Sequence, residues 1–298
     1  MIFLIFIVAF ALAYFGGRIQ IREMKIHKFL IFMWLILIVY LTLIFSSPYI
    51  LFSLFLSVFV VKLFLKSPMW NTFLKYTVYM ALFILLFNIL LNPNGTTLIF
   101  EFYWIRITLE SIVFSLSMLL RLMVIMGAFA IFNSNLHMED IIEVLEKLKF
   151  PSKSVMTLAL SLRFFPLIMK ETKETMEVLL SRGLSISGIR EKIYARYPVI
   201  TAMVGNSLER AIQIGEALEV KGYPSSKRRM WKNHPLNPIQ KFAIFTFIFT
   251  AVVSTAHLIV FGGFSFYPKV EIPENYYFCI SIFILPLSVF LGEVRYYD

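Results

Sequence analysis

TLESIVFSLSMLLRLMVIMGAFAIF, residues 108–132, carries one acidic and one basic side chain in the whole run. A helix through it rises about 1.5 Å per residue and can cross the roughly 30 Å hydrocarbon core of a bilayer. Glu110 lies at the edge of the run, and Arg121 lies near its middle. An ionisable group at that depth is a functional candidate by default. The competing reading is a structural hydrogen bond to a neighbouring helix.

Further apolar blocks lie at about 2–15, 29–47, 49–65, 73–92, 242–261 and 276–292. Gly16-Gly17, Ser46-Ser47-Pro48, Ser67-Pro68, Asn92-Pro93-Asn94-Gly95 and Gly262-Gly263 separate them, as helix-breaking residues do. Of 298 residues 59% are hydrophobic and 15% charged, where a soluble domain carries about a quarter charged. The fold class is therefore an all-α integral membrane protein with six to seven transmembrane helices. Block 2–15 is short for a span. Ala11-Leu12-Ala13 looks like a cleavage site, but Arg18, Arg22, Lys25 and Lys28 follow the apolar run instead of preceding it. That order is the reverse of a secretory signal, so the block reads as a retained short helix.

The formal charge of +10 does not point to nucleic acid, because the basic residues follow membrane topology. Loops rich in Lys and Arg alternate with poor ones along the chain: Arg18 to Lys28 is rich, the turn at 46–48 has none, and Lys62, Lys66 and Lys75 flank the next loop. Arg106 then stands alone, segment 133–241 is rich, and loop 262–275 holds only Lys269. Rich loops belong in the cytoplasm, which puts the N-terminus outside, the C-terminus inside and the protein in the plasma membrane as a multi-pass chain. The organisation is then transmembrane helices over 1–132, a cytoplasmic region over 133–241 and transmembrane helices over 242–298.

The middle region differs in kind. His137 to Phe150 reads as an amphipathic helix, with Glu139 and Asp140 at its start and Glu143–Lys147 as an i,i+4 pair. Pro151 opens a second helix that runs to Ser181 or Arg182 and stops at Gly183. Its half from Val155 to Met169 is apolar, and its half from Lys170 to Glu174 reads as solvated. A third helix runs from about Glu191 to Lys221, stopped by Gly222 and Pro224. Pro166 and Pro198 lie inside these two patterns and predict kinks or local breaks. The apolar halves are too long to face water, so they lie against transmembrane helices or at the membrane interface.

Site chemistry is sparse. The sequence has no Gly-x-x-x-x-Gly-Lys-[Ser/Thr] loop for phosphates, and no Gly-x-Ser-x-Gly, His-Glu-x-x-His or Cys-x-x-Cys. His27, His137, His234 and His257 are scattered, so no metal site is expected, and lone Cys279 cannot form an internal disulfide. Two features stand out: Ser181-Arg182-Gly183 and Val220-Lys221-Gly222, each ending a long cytoplasmic helix. Helix dipole and glycine capping explain either one alone. The pair, on consecutive helices, forms two forward-pointing cations suited to acidic grooves on a partner.

Ser161-Leu162-Arg163-Phe164-Phe165-Pro166-Leu167-Ile168 followed by Ser181-Arg182-Gly183 resembles the first coupling helix of the transmembrane (T) component of energy-coupling factor transporters. Asn206-Ser207-Leu208-Glu209-Arg210-Ala211 followed by Ala217-Leu218-Glu219-Val220-Lys221-Gly222-Tyr223 resembles the second, and Ile107-Thr108-Leu109-Glu110 with Leu120-Arg121-Leu122 also matches the family's pattern. The resemblance covers roughly residues 73–225. It implies a non-catalytic permease subunit whose two Ala-Arg-Gly-like motifs insert into grooves on two cytosolic ABC-type ATPases. Those ATPases would hold ATP and Mg, and this chain would bind no cofactor. A separate substrate-binding membrane (S) subunit would carry a vitamin or a transition-metal ion. Ser181 replaces the family's alanine, and Lys221 stands where the family favours arginine, which keeps the charge but loses the bidentate fork. The chain also shows one span more after the coupling helices than the resemblance implies. A stand-alone secondary transporter is the main alternative, with only Arg121, Asn88, Ser115 and Ser117 to build a midplane site. A membrane enzyme using Glu110 or Glu101 has no second catalytic group at a recognisable spacing.

Overall fold

The computed structural model describes residues 5, 7–9, 12, 27–91, 97–102, 105–183, 189–222 and 238–261. The chain divides into two units, one formed by residues 1–137 and 235–298, the other by 138–234.

The first unit contains α1 (Lys28–Ile44), α2 (Pro48–Phe64), α3 (Trp70–Leu91), the paired strands β1 (Leu98–Phe102) and β2 (Ile105–Thr108), α4 (Leu109–Asn135) and α8 (Pro238–Phe261). Four of the expected blocks around α4 thus appear as helices, with ends shifted by a few residues. The blocks at 2–15 and 276–292 lie outside the described residues, apart from scattered helical positions in the first. Among the described residues four helices are long and apolar enough to cross a membrane: Trp70–Asn88, Leu109–Asn135, Gln240–Val260 and, in the second unit, Ser152–Ser181.

Helix α4 is the hub, packing on α1, α2 and α3, while α8 packs on α1. Its Leu120, Met123, Val124, Ala128 and Ile131 join Trp34, Ile38 and Leu41 of α1 and Leu54, Phe55 and Val58 of α2 in one buried cluster. Gly127 permits the closest approach: a Cβ there would stand 3.2 Å from two ring carbons of Trp70 and 3.2 Å from Val58 Cγ1. The outer faces are apolar as well. Tyr79, Leu82 and Phe83 on α3 and Phe245, Ile248 and Phe249 on α8 are exposed, as lipid-facing side chains must be.

The α1–α2 pair differs from the expected full spans at 29–47 and 49–65. Each helix has 17 residues, about 25 Å of rise, less than the roughly 30 Å of a bilayer core. Phe45 leaves α1 in an extended conformation, and Pro48 opens α2, where its missing N–H costs nothing. The all-α expectation fits the described residues, with one short strand pair added. Strands β1 and β2 pair antiparallel, Phe102 with Ile105 and Leu98 with Thr108. Ile105-Arg106-Ile107-Thr108 alternates apolar and polar residues with period two, the signature of a strand.

The second unit contains α5 (Met138–Lys147), α6 (Ser152–Ser181) and α7 (Ile189–Val220). Lys147 Nζ binds Glu143 Oε1 at 2.8 Å, the i,i+4 pair expected from sequence. Helix α6 packs on α5 and on α7. The less exposed positions of α6 (Phe164, Ile168, Thr172, Thr175, Leu179) and of α7 (Val199, Met203, Arg210, Ile214, Leu218) recur every three to four residues, or at multiples of that spacing. They define one narrow seam along each helix. Pro166 and Pro198 are exposed inside helices that continue unbroken through them, so neither takes the local break that proline permits.

Candidate docking site

The two motifs singled out from sequence close α6 and α7 with the same backbone stop. Arg182 is the C-cap of α6, its N–H reaching the Val178 carbonyl at 3.1 Å, and Gly183 N–H donates to Leu180 O at 3.0 Å. Lys221 N–H donates to Ala217 O at 3.3 Å, and Gly222 N–H to Glu219 O at 2.8 Å. Both glycines are left-handed, with φ of +92° and +76°. In each case the cation holds the last near-helical position, and the glycine after it bonds back three residues. That is the inner half of a Schellman stop. An L side chain at the glycine position would be strained by about 1–2 kcal/mol.

Each cation therefore sits where unsatisfied carbonyls concentrate roughly half a negative charge, and the helix end holds it in place. Ser181, Arg182, Val220 and Lys221 are all exposed, with Val220 at 89%. The Ser181 hydroxyl is turned back onto Glu177 O at 2.9 Å, so it presents no donor forward. Each tip exposes one cation beside apolar surface, Val178 and Leu180 on α6 and Val220 on α7, with Glu177 and Glu219 exposed nearby.

The structure also joins the two helices in a way the sequence reading missed. The Arg210 guanidinium is ion-paired with Glu171 Oε1, both side chains about three-quarters sheltered. Beside it the Thr172 hydroxyl, which donates to Ile168 O at 2.7 Å, lies 3.0 Å from Met203 Sδ. Lys170 to Glu174 was expected to be solvated throughout. Lys170, Lys173 and Glu174 are exposed, but Glu171 and Thr172 turn inward. The available signal was the continuation of the Phe164–Ile168 spacing into Glu171, Thr172, Thr175 and Leu179.

Arg121 lies in the other unit. Its Nη2 donates to the Phe45 carbonyl at 3.0 Å and to Ser46 Oγ at 3.1 Å, and Nη1 touches Met118 Sδ at 3.8 Å. Phe45 is the C-cap of α1, so the guanidinium neutralises that helix's negative end. Twelve residues separate Leu109 from Arg121. The α1–α2 turn is thus fixed about 18 Å along α4. At the far end of α4, Asn135 Nδ2 donates to Lys66 O at 3.0 Å. Of the two sequence readings of Arg121, the geometry supplies the structural hydrogen bond. No group of three His, Cys, Asp or Glu able to hold a metal ion occurs among the described residues.

Comparison with known proteins places the chain. It is 28% identical over 166 residues to the energy-coupling factor transporter transmembrane protein of Macrococcus caseolyticus, covering 52% of this chain and 62% of that relative. The protein of the same name from Bacillus subtilis is 26% identical over 166 residues, with the same coverages. The one from Streptococcus equi is 26% identical over 209 residues, 65% of this chain and 77% of its own length. The match thus spans a little under two thirds of the first two relatives. The model of the CbiQ family, described as cobalt transport protein, matches residues 2–232, and the chain belongs to that family of membrane transport proteins.

Proposed function

We propose that this chain is the transmembrane coupling subunit of an ATP-driven energy-coupling factor importer. The observation that carries this is the duplicated stop: α6 and α7 end in the same capped geometry, each presenting one exposed cation. Relatives named as transmembrane proteins of such transporters support it. In this reading α6 and α7 are cytoplasmic coupling helices, bent at Pro166 and Pro198. Arg182 docks one ABC-type ATPase and Lys221 the other. ATP and Mg belong to those ATPases. Their closure moves the helix tips, and the motion passes to a separate substrate-binding (S) subunit, which releases a vitamin or transition-metal ion into the cell.

The length of α6 is compatible with a span, but its polar pattern favours lying along the membrane surface. Its apolar stretch ends at Met169, and Lys170, Lys173, Glu174 and Glu177 are exposed over the next two turns. Phe165, Leu167 and Met169 on α6 and Ile200 and Val204 on α7 are exposed, an apolar face suited to the substrate-binding subunit.

Detergent co-purification of the tagged chain with ATPases from its own genome tests the assignment, wild type beside the Arg182→Ala, Lys221→Ala double variant. Removing one member of a desolvated, hydrogen-bonded charge pair costs on the order of 2–5 kcal/mol. The wild type is expected to retain the ATPases and the double variant to lose them. Retention by a folded double variant refutes docking at the helix tips. A folded wild type that retains none, yet takes up substrate alone, makes the chain a secondary transporter.

A further inference from the structure

We propose that the Glu171–Arg210 ion pair is a rivet that fixes the register of α6 on α7 and so makes the two docking cations move as one body. This rests on the docking roles of Arg182 and Lys221 proposed above.

The seam between α6 and α7 is narrow, and much of the apolar surface of both helices faces away from it: Phe165, Met169, Val178, Ile200, Leu208 and Ile212 are exposed. A seam of side chains repeating every three to four residues reads much the same after a slip of one helical turn, about 5.4 Å. Apolar packing alone therefore holds the helices together without choosing a register. A polar pair chooses it, because a slip leaves two sheltered charges apart; fixing register is the best-attested role of such pairs. Glu171 and Arg210 are the pair, and the Thr172–Met203 contact one residue along α6 reinforces the same alignment.

The position of the rivet matters. Eleven residues separate Glu171 from Arg182, and eleven separate Arg210 from Lys221. Each cation thus stands about 16 Å beyond the ion pair along its own helix. With equal arms, rotation at the ion pair displaces both tips alike. A one-turn slip instead displaces one tip against the other by about 5 Å, far beyond the reach of a charge-assisted hydrogen bond. Arg210 and Glu171 are in this sense positioning residues, acting through Arg182 and Lys221.

The test begins with the chain alone, in nanodiscs and in a Cys279→Ser background, with spin labels at Val178→Cys and Glu216→Cys, both exposed. Electron–electron distance measurement should give one narrow distribution. Glu171→Gln or Arg210→Gln should broaden it about twofold or add a second population displaced by about one turn. The charge-reversed double variant Glu171→Arg, Arg210→Glu should restore the narrow form, a rescue that a loss of general stability would not show. In the complex, the single variants should keep both ATPases, since the cations remain. Uptake per ATP hydrolysed should fall about two- to five-fold, as expected for losing a partly sheltered ion pair. Distributions unchanged by the single variants overturn the rivet. Changed distributions with unchanged uptake per ATP overturn its role in coupling. If the wild type holds no ATPase, the docking reading falls by itself, and the distance measurement still decides whether the pair sets the register.

Discussion

Replacing Arg121 by methionine keeps the length and apolar stem of the side chain and removes the guanidinium that ends α1. Two bonds are lost, to Phe45 O and Ser46 Oγ at 3.0 and 3.1 Å. Hydrogen bonds inside membrane proteins average about 0.6 kcal/mol and reach about 1.7, because the unfolded chain in the bilayer also finds partners. A charged donor serving a helix-end carbonyl belongs near the upper value, so the two bonds contribute about 2–3 kcal/mol. Loss of the cation beside the negative end of α1 adds about 0.3–1 kcal/mol. The cost of an arginine at this depth does not cancel the loss, since the unfolded chain in the bilayer carries the same charge. The expected total is about 3 kcal/mol, or roughly 5 °C in melting temperature for a chain of this size. Purified protein in one detergent, melted at one scan rate because unfolding is often irreversible, gives the comparison. Arg121→Lys keeps the charge and one donor direction, so it should recover about half the shift. A methionine variant melting within about 2 °C of wild type refutes the brace. A methionine variant that melts normally but abolishes uptake refutes it more tellingly, because Arg121 would then act on substrate or partner.

Two further substitutions probe the packing and the docking tips. Gly127→Val should lower the melting temperature by roughly 2–5 °C, because overpacking at about 1–3 kcal/mol outweighs the helix propensity gained over glycine. Its new atoms meet a buried Trp70 ring and Val58, neither at the end of a flexible side chain, and Trp70→Leu in the same chain should restore part of the loss. Gly183→Ala meets no atom within 4 Å, so its penalty is the backbone strain at φ +92°, about 1–2 kcal/mol. That strain should distort the α6 tip and weaken ATPase retention in co-purification while the melting temperature falls by only about 2–3 °C.

Long, uniform signals were legible in the sequence. Helices α3, α4 and α8 follow from length and apolarity alone, and α5 to α7 from amphipathic period and from Gly183 and Gly222 as stops. The strand pair at 98–102 and 105–108 was not read, because its strands are five and four residues long and sit among turn residues, too short for a period to establish itself. The short reach of α1 and α2 was hidden for a different reason. Composition makes 29–47 and 49–65 look like full spans, and although the break at Ser46-Ser47-Pro48 was legible, the brace on it from Arg121, some 75 residues away in sequence, was not. Glu171 failed in the same way. A glutamate between two lysines looks solvated, and only its partner, 39 residues on, turns it into part of a seam.

The hydroxyls of both units are turned onto their own helices, and the units differ instead in their charged groups and exposed faces. Hydroxyls of Thr42, Thr77, Ser115, Ser117 and Thr250 in the first unit, and of Thr157, Ser161, Thr175 and Thr201 in the second, donate to carbonyls four residues back in their own helices. Arg121 closes a helix end, and Glu110 accepts from Thr97 N–H at 3.2 Å. These groups are committed to the protein itself, and the exposed faces of α3 and α8 are apolar enough to remain in lipid. In the second unit the exposed face mixes Phe165, Met169 and Ile200 with Arg163, Lys170 and Glu174, a surface that neither lipid nor water satisfies fully. Such a surface gains most against another protein, where apolar side chains are covered and charges at the rim stay hydrated. The tips add one cation each, fixed by the backbone and set at equal distances from a single ion pair. A carrier would concentrate its polar groups where a solute passes; under the proposed coupling role, the exposed charges of α6 and α7 lie where two partners would pull on them together.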